Sequence, residues 1–472
     1  MDYIDNLRSY FYSGATLDYK FRIDALKKLK HSLFANKEKL AEAFMQDLNK
    51  CEFDFISCEF SMVIGEINYF LKHLKKLMAP KKVSTSIVNF PSKGYIYKEP
   101  YGVCLIMAPW NYPLQLALSP LVASIASGNV SVVKPSNYCP NVSNVIKEVL
   151  SVFNENYIYV VLGGREKNTE LLEQRFDFIF FTGGDKVGRL VMEKASHNLT
   201  PVVLELGGKS PVIVCKDTDI DMAAKRITWG KYLNAGQTCV APDHIYVEES
   251  IKDAFIDAVK HYINEFYYVD GKITPEFTHI INEKHVDRLK GLMDPQKIVF
   301  GGNSSGKLIE PTVMDNVDYN DAIMGEEIFG PIMPILPFSD LDQVIDHIQK
   351  DEKPLALYLF TFDKDIQNKV MTNCSFGGGC INDCIMHLTN ENLPFGGVGR
   401  SGMGSYHGKK SYETFSHEKS VLKKNKAEIN LKYPPYTDKK LKTVKQFTGS
   451  NNEWNKSSTI VEDLYLYFNF NC

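Results

Sequence analysis

Two apolar runs, Val103-Cys-Leu-Ile-Met-Ala108 and Val130-Ser-Val-Val-Lys134, stand on either side of the apolar stretch 114–126 and decide the fold. Short, almost uncharged runs bounded by proline, asparagine and glycine predict strands buried on both faces, and the longer stretch between them predicts a helix. Working outward, residues 141–150 read as a helix, 157–162 as a strand, and 178–182 as a strand opening a helix at Val187. Alternating strand and helix argues for a parallel sheet covered on both faces, of the nucleotide-binding type. Residues 100–133 carry no charge, but Pro109, Asn111, Pro113, Pro120 and Gly128 interrupt them. That excludes an unbroken membrane helix of about twenty residues.

A second series follows, with strands at 211–215, 243–247 and 356–360 and helices at 220–233, 251–266 and 340–349. The fold class expected is therefore α/β, with two parallel-sheet domains. Before them, Phe21, Leu26, Leu29 and Leu33 recur at helical spacing. Residues 82–98 alternate like two short strands turning at Pro91-Ser-Lys-Gly94, which predicts a hairpin. The domains expected are 1–79 with 100–205, then 206–385, then an arm of 80–99 with 386–435. A polar tail, 436–472, begins with Lys439, Lys440, Lys442 and Lys445.

Hydrophobic content of 44% and charged content of 24% over 472 residues are those of an ordinary globular protein. A net charge of -3 gives no footprint for nucleic acid. Ten scattered cysteines point to a reducing compartment, and a cytoplasmic location is expected. Met1-Asp2-Tyr-Ile-Asp5 is acidic where a signal peptide is basic. Cys374, Cys380, Cys384 and His387 cluster in sequence, but their spacing is not that of zinc knuckles, so no metal is expected. The run Leu464-Tyr-Leu-Tyr-Phe468 is too short to span a membrane, and Cys472, as the last residue, forms no prenylation box.

The chemistry sits in three turns. Asn234-Ala-Gly-Gln-Thr-Cys239-Val-Ala-Pro presents a thiol beside glycine, Leu204-Glu205-Leu-Gly-Gly-Lys-Ser-Pro211 presents a carboxylate, and Ala108-Pro-Trp-Asn111-Tyr-Pro113 presents an amide. A nucleophile, a base and an oxyanion donor are what covalent chemistry at a carbonyl requires. Each has a plainer reading: a buried hydrophobe for Cys239, an ion pair with Lys209 for Glu205, a turn for Asn111. The apolar run Val202-Val-Leu-Glu-Leu predicts partial burial of Glu205 and a raised pKa suited to base work. Phe181-Thr-Gly183-Gly184-Asp-Lys-Val-Gly188 places glycines between a strand and a helix N-terminus, where pyrophosphate can sit on backbone N–H groups.

These motifs, together with Glu99-Pro-Tyr-Gly-Val, Glu326-Glu-Ile-Phe-Gly-Pro331 and Leu393-Pro-Phe-Gly-Gly-Val-Gly-Arg-Ser-Gly-Met-Gly404, make the chain resemble the aldehyde dehydrogenase superfamily, most of all its class 3 branch. The resemblance runs to about Pro435. It implies NAD(P)-dependent oxidation of an apolar aldehyde (fatty, aromatic or isoprenoid-type) to its carboxylic acid, with the aldehyde as the small-molecule partner. In that scheme Cys239 is the nucleophile, Glu205 activates the hydrolytic water, and Asn111 with the Cys239 N–H holds the oxyanion.

The resemblance assigns Lys134 and Asn137 to the adenosine ribose, and Thr182, Gly183, Gly184 and Gly188 to the pyrophosphate turn. Glu327 falls to the nicotinamide ribose, Phe329 beside the nicotinamide, and Tyr112 and Phe395 to the substrate. Asn137 replaces a glutamate common in relatives, which predicts tolerance of NADP alongside NAD. Gly184 replaces a common serine. The hairpin arm and the absence of a longer N-terminal extension predict a homodimer. Some class 3 relatives carry a C-terminal membrane helix, a pattern this chain lacks. A coenzyme A-acylating dehydrogenase, a cofactor-independent thiol esterase and a non-catalytic scaffold remain as alternatives.

Overall fold

The computed structural model describes residues 2–86 and 89–447. The sequence features at 464–468 and Cys472 lie outside them. Most of the described chain, residues 2–79 and 98–419, forms one compact unit. Among its described residues are two large sheets, of six and seven strands, and two small two-stranded ones.

The first sheet has the order Gly402–Met403, Val202–Glu205, Phe178–Thr182, Val103–Met107, Val130–Lys134, Ile158–Val160. All neighbours are parallel except the short Gly402–Met403, which runs antiparallel to Val202–Glu205. The second sheet orders Ile298–Phe300, Thr312–Met314, Ile332–Phe338, His244–Glu248, Pro211–Val214, Ala356–Phe360, Gly378–Ile381, and only its first pair is antiparallel. Val103–Met107 and Val130–Lys134 lie side by side in the first sheet and are buried throughout. Both faces are covered, as uninterrupted apolar strands require.

Between them, Pro113–Ser127 is a helix with fourteen buried positions, starting on Pro113 and ending at Gly128 in the left-handed region. Proline at the first turn lacks the N–H that a helix start leaves unpaired, and glycine accepts the positive φ of the C-cap without a Cβ clash. Pro120 sits inside the helix, yet the element continues through it.

Among the described residues, 80–97 and 420–447 form the second unit. The strand Lys81–Val83 pairs antiparallel with Ser92–Pro100, and Ser416–Lys424 is the third strand of that sheet. The hairpin is present, but its turn is not at Pro91–Gly94. Gly94 already lies within the strand opposite Val83, where an added Cβ would come within 2.8 Å of the Val83 methyl. The reversal lies earlier, in the connection between Val83 and Ser92. At the start of the expected polar tail, Asp438–Phe447 is helical.

Candidate active site

Chain order reverses between Val103–Met107 and Phe178–Thr182, which are adjacent in the first sheet. A crevice opens at the carboxyl ends of parallel strands at such a switch point. Three of the sequence motifs begin there. Trp110 and Asn111 follow the first strand, Gly183 and Gly184 follow the second, and Glu205 is the last residue of its own strand.

The segment before Cys239 is unusual. Asn234, Ala235 and Gly236 all have positive φ, of 55°, 53° and 73°. Each non-glycine residue in that region costs roughly 1–2 kcal/mol, so the surroundings must hold it. They do so with side chains. Asn234 donates its amide to the carbonyls of Asn111 (3.1 Å) and Gln237 (3.0 Å). Gln237 donates to the carbonyls of Asn234 and His279 and accepts the Ile281 N–H. Gly236 has a further constraint, since a Cβ there would lie 2.2 Å from the Gly330 carbonyl oxygen. This turn presents Cys239 half-buried rather than packed in the core.

Two cavities meet at that thiol. One, about 370 Å³, is lined mainly by apolar side chains including Phe53, Met62, Leu116, Trp229, Tyr112 and Ile385. The other, about 330 Å³, is lined by Thr182, Gly183, Gly184, Glu205, Glu327 and Phe329 among others. Cys239, Leu116, Phe395 and Tyr406 line both. The volumes are those of small-molecule and cofactor sites.

Burial pushes the Cys239 thiol up to about 12, with the carboxylates of Glu327 and Glu205 adding to the rise while the backbone N–H groups of Cys239 and Val240 oppose it. Burial alone raises Glu205 well above the usual carboxylate range. Neither Glu205 oxygen has a hydrogen-bond partner, and Lys209, its candidate partner in the sequence, binds Asp243 at 2.6 Å instead. Asp243 in turn accepts the Ile328 N–H at 2.8 Å, so the Lys209–Asp243 pair anchors the loop bearing Glu327. Burial raises Glu327 to about 8, reinforced by the Asp243 charge and opposed by the Gly208 N–H, Lys209 and Arg288.

The other residues expected from the sequence divide. Asn111 is buried, and its amide donates to the Gln237 carbonyl at 3.0 Å, which uses one of its two N–H bonds. The Tyr112 hydroxyl and the Thr238 hydroxyl are 2.7 Å apart. Gly188 lines neither cavity. It lets the helix Asp185–Ser196 approach Leu206, whose methyl would be 2.7 Å from an added Cβ. Lys134 and Asn137 also fall outside the lining residues. Burial draws the Lys134 amine down to about 8, and it donates to the Pro135 carbonyl, while Asn137 is exposed.

The sequence reading missed Trp110, whose ring lies 5.5 Å from that of Phe329, and Arg288, which donates to the carbonyls of Glu327 and Ile328. It also missed His407 and Ile385, both on the apolar cavity and both at positive φ (85° and 65°). Lone residues in helices and loops give no local signal for such placement.

Comparison with known proteins follows the same lines. The aldehyde dehydrogenase family model matches residues 4–421. The 4,4'-diaponeurosporen-aldehyde dehydrogenase of Staphylococcus aureus is 46% identical over 446 residues, 93% of this chain and 97% of that protein. The dimeric NADP-preferring aldehyde dehydrogenase of Canis lupus familiaris is 42% identical over 438 residues, 92% of this chain and 97% of that protein. Among solved structures, the substrate-bound state of Staphylococcus aureus AldH superposes with a TM-score of 0.92 at 45% identity, covering 95% of this chain and 99% of that one.

Proposed function

The chain belongs to the aldehyde dehydrogenase family, NAD(P)-dependent oxidoreductases that convert aldehydes to carboxylic acids, and from that premise we propose that it oxidises apolar aldehydes on Cys239. The observation that carries this is the position of Cys239 at the junction of an apolar cavity and a polar one. An apolar tail fits the first, and the relative from Staphylococcus aureus is named for 4,4'-diaponeurosporen-aldehyde.

The residues of the second cavity fit a dinucleotide. Gly183 and Gly184 open the helix Asp185–Ser196, whose N-terminus favours a phosphate. The buried Thr182 hydroxyl has no partner, and the cradle at Gly207 leaves no room for a Cβ, which would lie 2.1 Å from the Glu327 carboxylate. In this reading Glu327 holds the nicotinamide ribose and Phe329 packs near the ring, while Lys134 and Asn137 reach the adenosine ribose. Bound NAD or NADP supplies the hydride acceptor.

The protein's own groups do the rest. Cys239, its thiol proton passed to water, adds to the aldehyde carbon, and the Asn111 amide and the Cys239 N–H hold the resulting oxyanion. Once the carbon is oxidised, the acyl group remains on sulfur as a thioester. Glu205, held in an apolar setting without a competing partner, takes a proton from the water that hydrolyses it. Tyr112 and Phe395 flank the substrate.

The presence of Glu205 disfavours resolution by coenzyme A, which needs no water-activating carboxylate. Purified protein should form NAD(P)H from apolar aldehydes without coenzyme A, with kcat/KM rising with chain length or aromaticity. Product release that depends on coenzyme A would favour the acylating reading.

A homodimer belongs to the same reading. The edge strand Ser416–Lys424 is exposed over almost its whole length and offers unpaired backbone groups to a second copy. A cytoplasmic setting is supported by the described cysteines, all free thiols. Among the described residues no helix is long and apolar enough to cross a membrane.

A further inference from the structure

A fully buried ion pair lies behind the oxyanion donor. Lys50 and Glu59 are 2.9 Å apart, with side chains 1% and 0% exposed. Burying two charges costs several kcal/mol per ion, so such a pair gives little net stability compared with apolar side chains of the same size. Its contacts suggest another use.

The helix Pro113–Ser127 begins two residues after Asn111, and its first turn has no local cap. Tyr112 makes no side-chain cap hydrogen bond and Pro113 has no N–H, which leaves the N–H groups of Leu114 and Gln115 as orphans in a buried setting. Glu59 accepts both, at 3.2 and 2.9 Å, through Oε2. Its other oxygen takes Lys50. Lys50 Nζ also donates to the Asn111 carbonyl at 3.2 Å and sits 4.4 Å from the centre of the Tyr112 ring. Glu59 belongs to Ile56–Phe60, a π-helical turn, a form that recurs where a helix must turn one side chain to a particular task. The chain is therefore gripped on both sides of Asn111. Lys50 and Asn234 hold its carbonyl, and Glu59 holds the helix into which it feeds.

We propose that Lys50 and Glu59 are positioning residues for the oxyanion donor, acting through the backbone of Asn111 to fix the direction of its amide. The inference rests on the reading of Asn111 as that donor. The pair touches neither the reacting carbon nor the cofactor cavity, and neither residue lines either cavity.

The test is a mutant cycle. Lys50→Met with Glu59→Gln removes both charges together, which avoids a stranded buried ion, and keeps an acceptor for the helix N–H groups. The expected result is a kcat about tenfold to a hundredfold lower with KM for NAD(P) unchanged, because misplacing a catalytic group by an ångström is costly. In an Asn111→Ala background the same double change should cost less than about twofold, since residues acting through one group are not additive. Equal losses in both backgrounds, or an unchanged kcat in the double variant, would overturn the proposal. If Asn111→Ala alone leaves kcat unchanged, the oxyanion reading fails, and that outcome is separate. Should the double variant not fold, Glu59→Asp retains the charge but shortens the reach to the helix N–H groups. It must then lower kcat in the wild-type background and not in Asn111→Ala, or the proposal is wrong.

Discussion

Glu205 and Cys239 line the same cavity, and the Glu205 carboxyl has no hydrogen-bond partner for either oxygen. A carboxylate so placed is costly to ionise, and burial raises its pKa well above the ordinary range. Its proton affinity is greater in the folded state than in the unfolded chain. Its contribution to stability is therefore complete below the unfolded pKa and is lost as pH rises through the folded one.

Glu205→Gln should accordingly raise the melting temperature at pH 8. The gain over wild type should shrink as pH falls toward 4. Calorimetry across that range checks it. A gain that grows at acid pH would contradict the burial argument.

Burial shifts the thiol in the same direction. With Cys239 pushed up to about 12, the ligand-free protein holds almost no thiolate near neutrality. Alkylation by iodoacetamide, followed on the Cys239 peptide by mass, should accelerate about tenfold per pH unit from 7 to 10, because only the thiolate reacts. A plateau below pH 9 would show that ligand-free protein already activates the sulfur.

Gly207 offers a test of the cofactor cradle. A Cβ there falls 2.1 Å from one Glu327 oxygen and 2.6 Å from the other. Gly207→Ala must displace that carboxylate, and KM for NAD(P) should rise about tenfold while the fold is kept. Steady-state kinetics with thermal melting distinguishes this from simple instability. An unchanged KM would remove Glu327 from the ribose.

The proposed reading has cofactor choice depend on Asn137, exposed beyond the strand Val130–Lys134. A carboxylate at such a position grips ribose hydroxyls and repels a 2'-phosphate. Asn137→Glu should lower kcat/KM for NADP about tenfold relative to NAD. A wild-type preference for NAD above about a thousandfold would defeat the inference.

The parts of the site visible in the sequence were those fixed by local rules. Short apolar strands ending in proline or glycine, as at Met107 and Thr182, announce both the sheet and the place where its crevice opens. The Asn234–Cys239 turn showed its glycine, but not that Asn234 and Ala235 share its left-handed geometry, which depends on the side chain of Gln237 and the carbonyl of Asn111. Lys209 illustrates the limit of spacing rules. Four residues from Glu205, it pairs instead with Asp243, thirty-four residues away in sequence. The Lys50–Glu59 pair and Arg288 likewise gain meaning only when distant segments meet. Hairpin placement failed for a related reason, since Gly94 serves the strand opposite Val83 rather than a turn.

The most direct test of the thioester mechanism is intact-protein mass spectrometry of Glu205→Gln after mixing with an apolar aldehyde and NAD(P). The mechanism predicts about one equivalent of NAD(P)H and a stable acyl adduct on Cys239, absent in Cys239→Ala. Continued turnover without an adduct, or activity that survives Cys239→Ala, would contradict it.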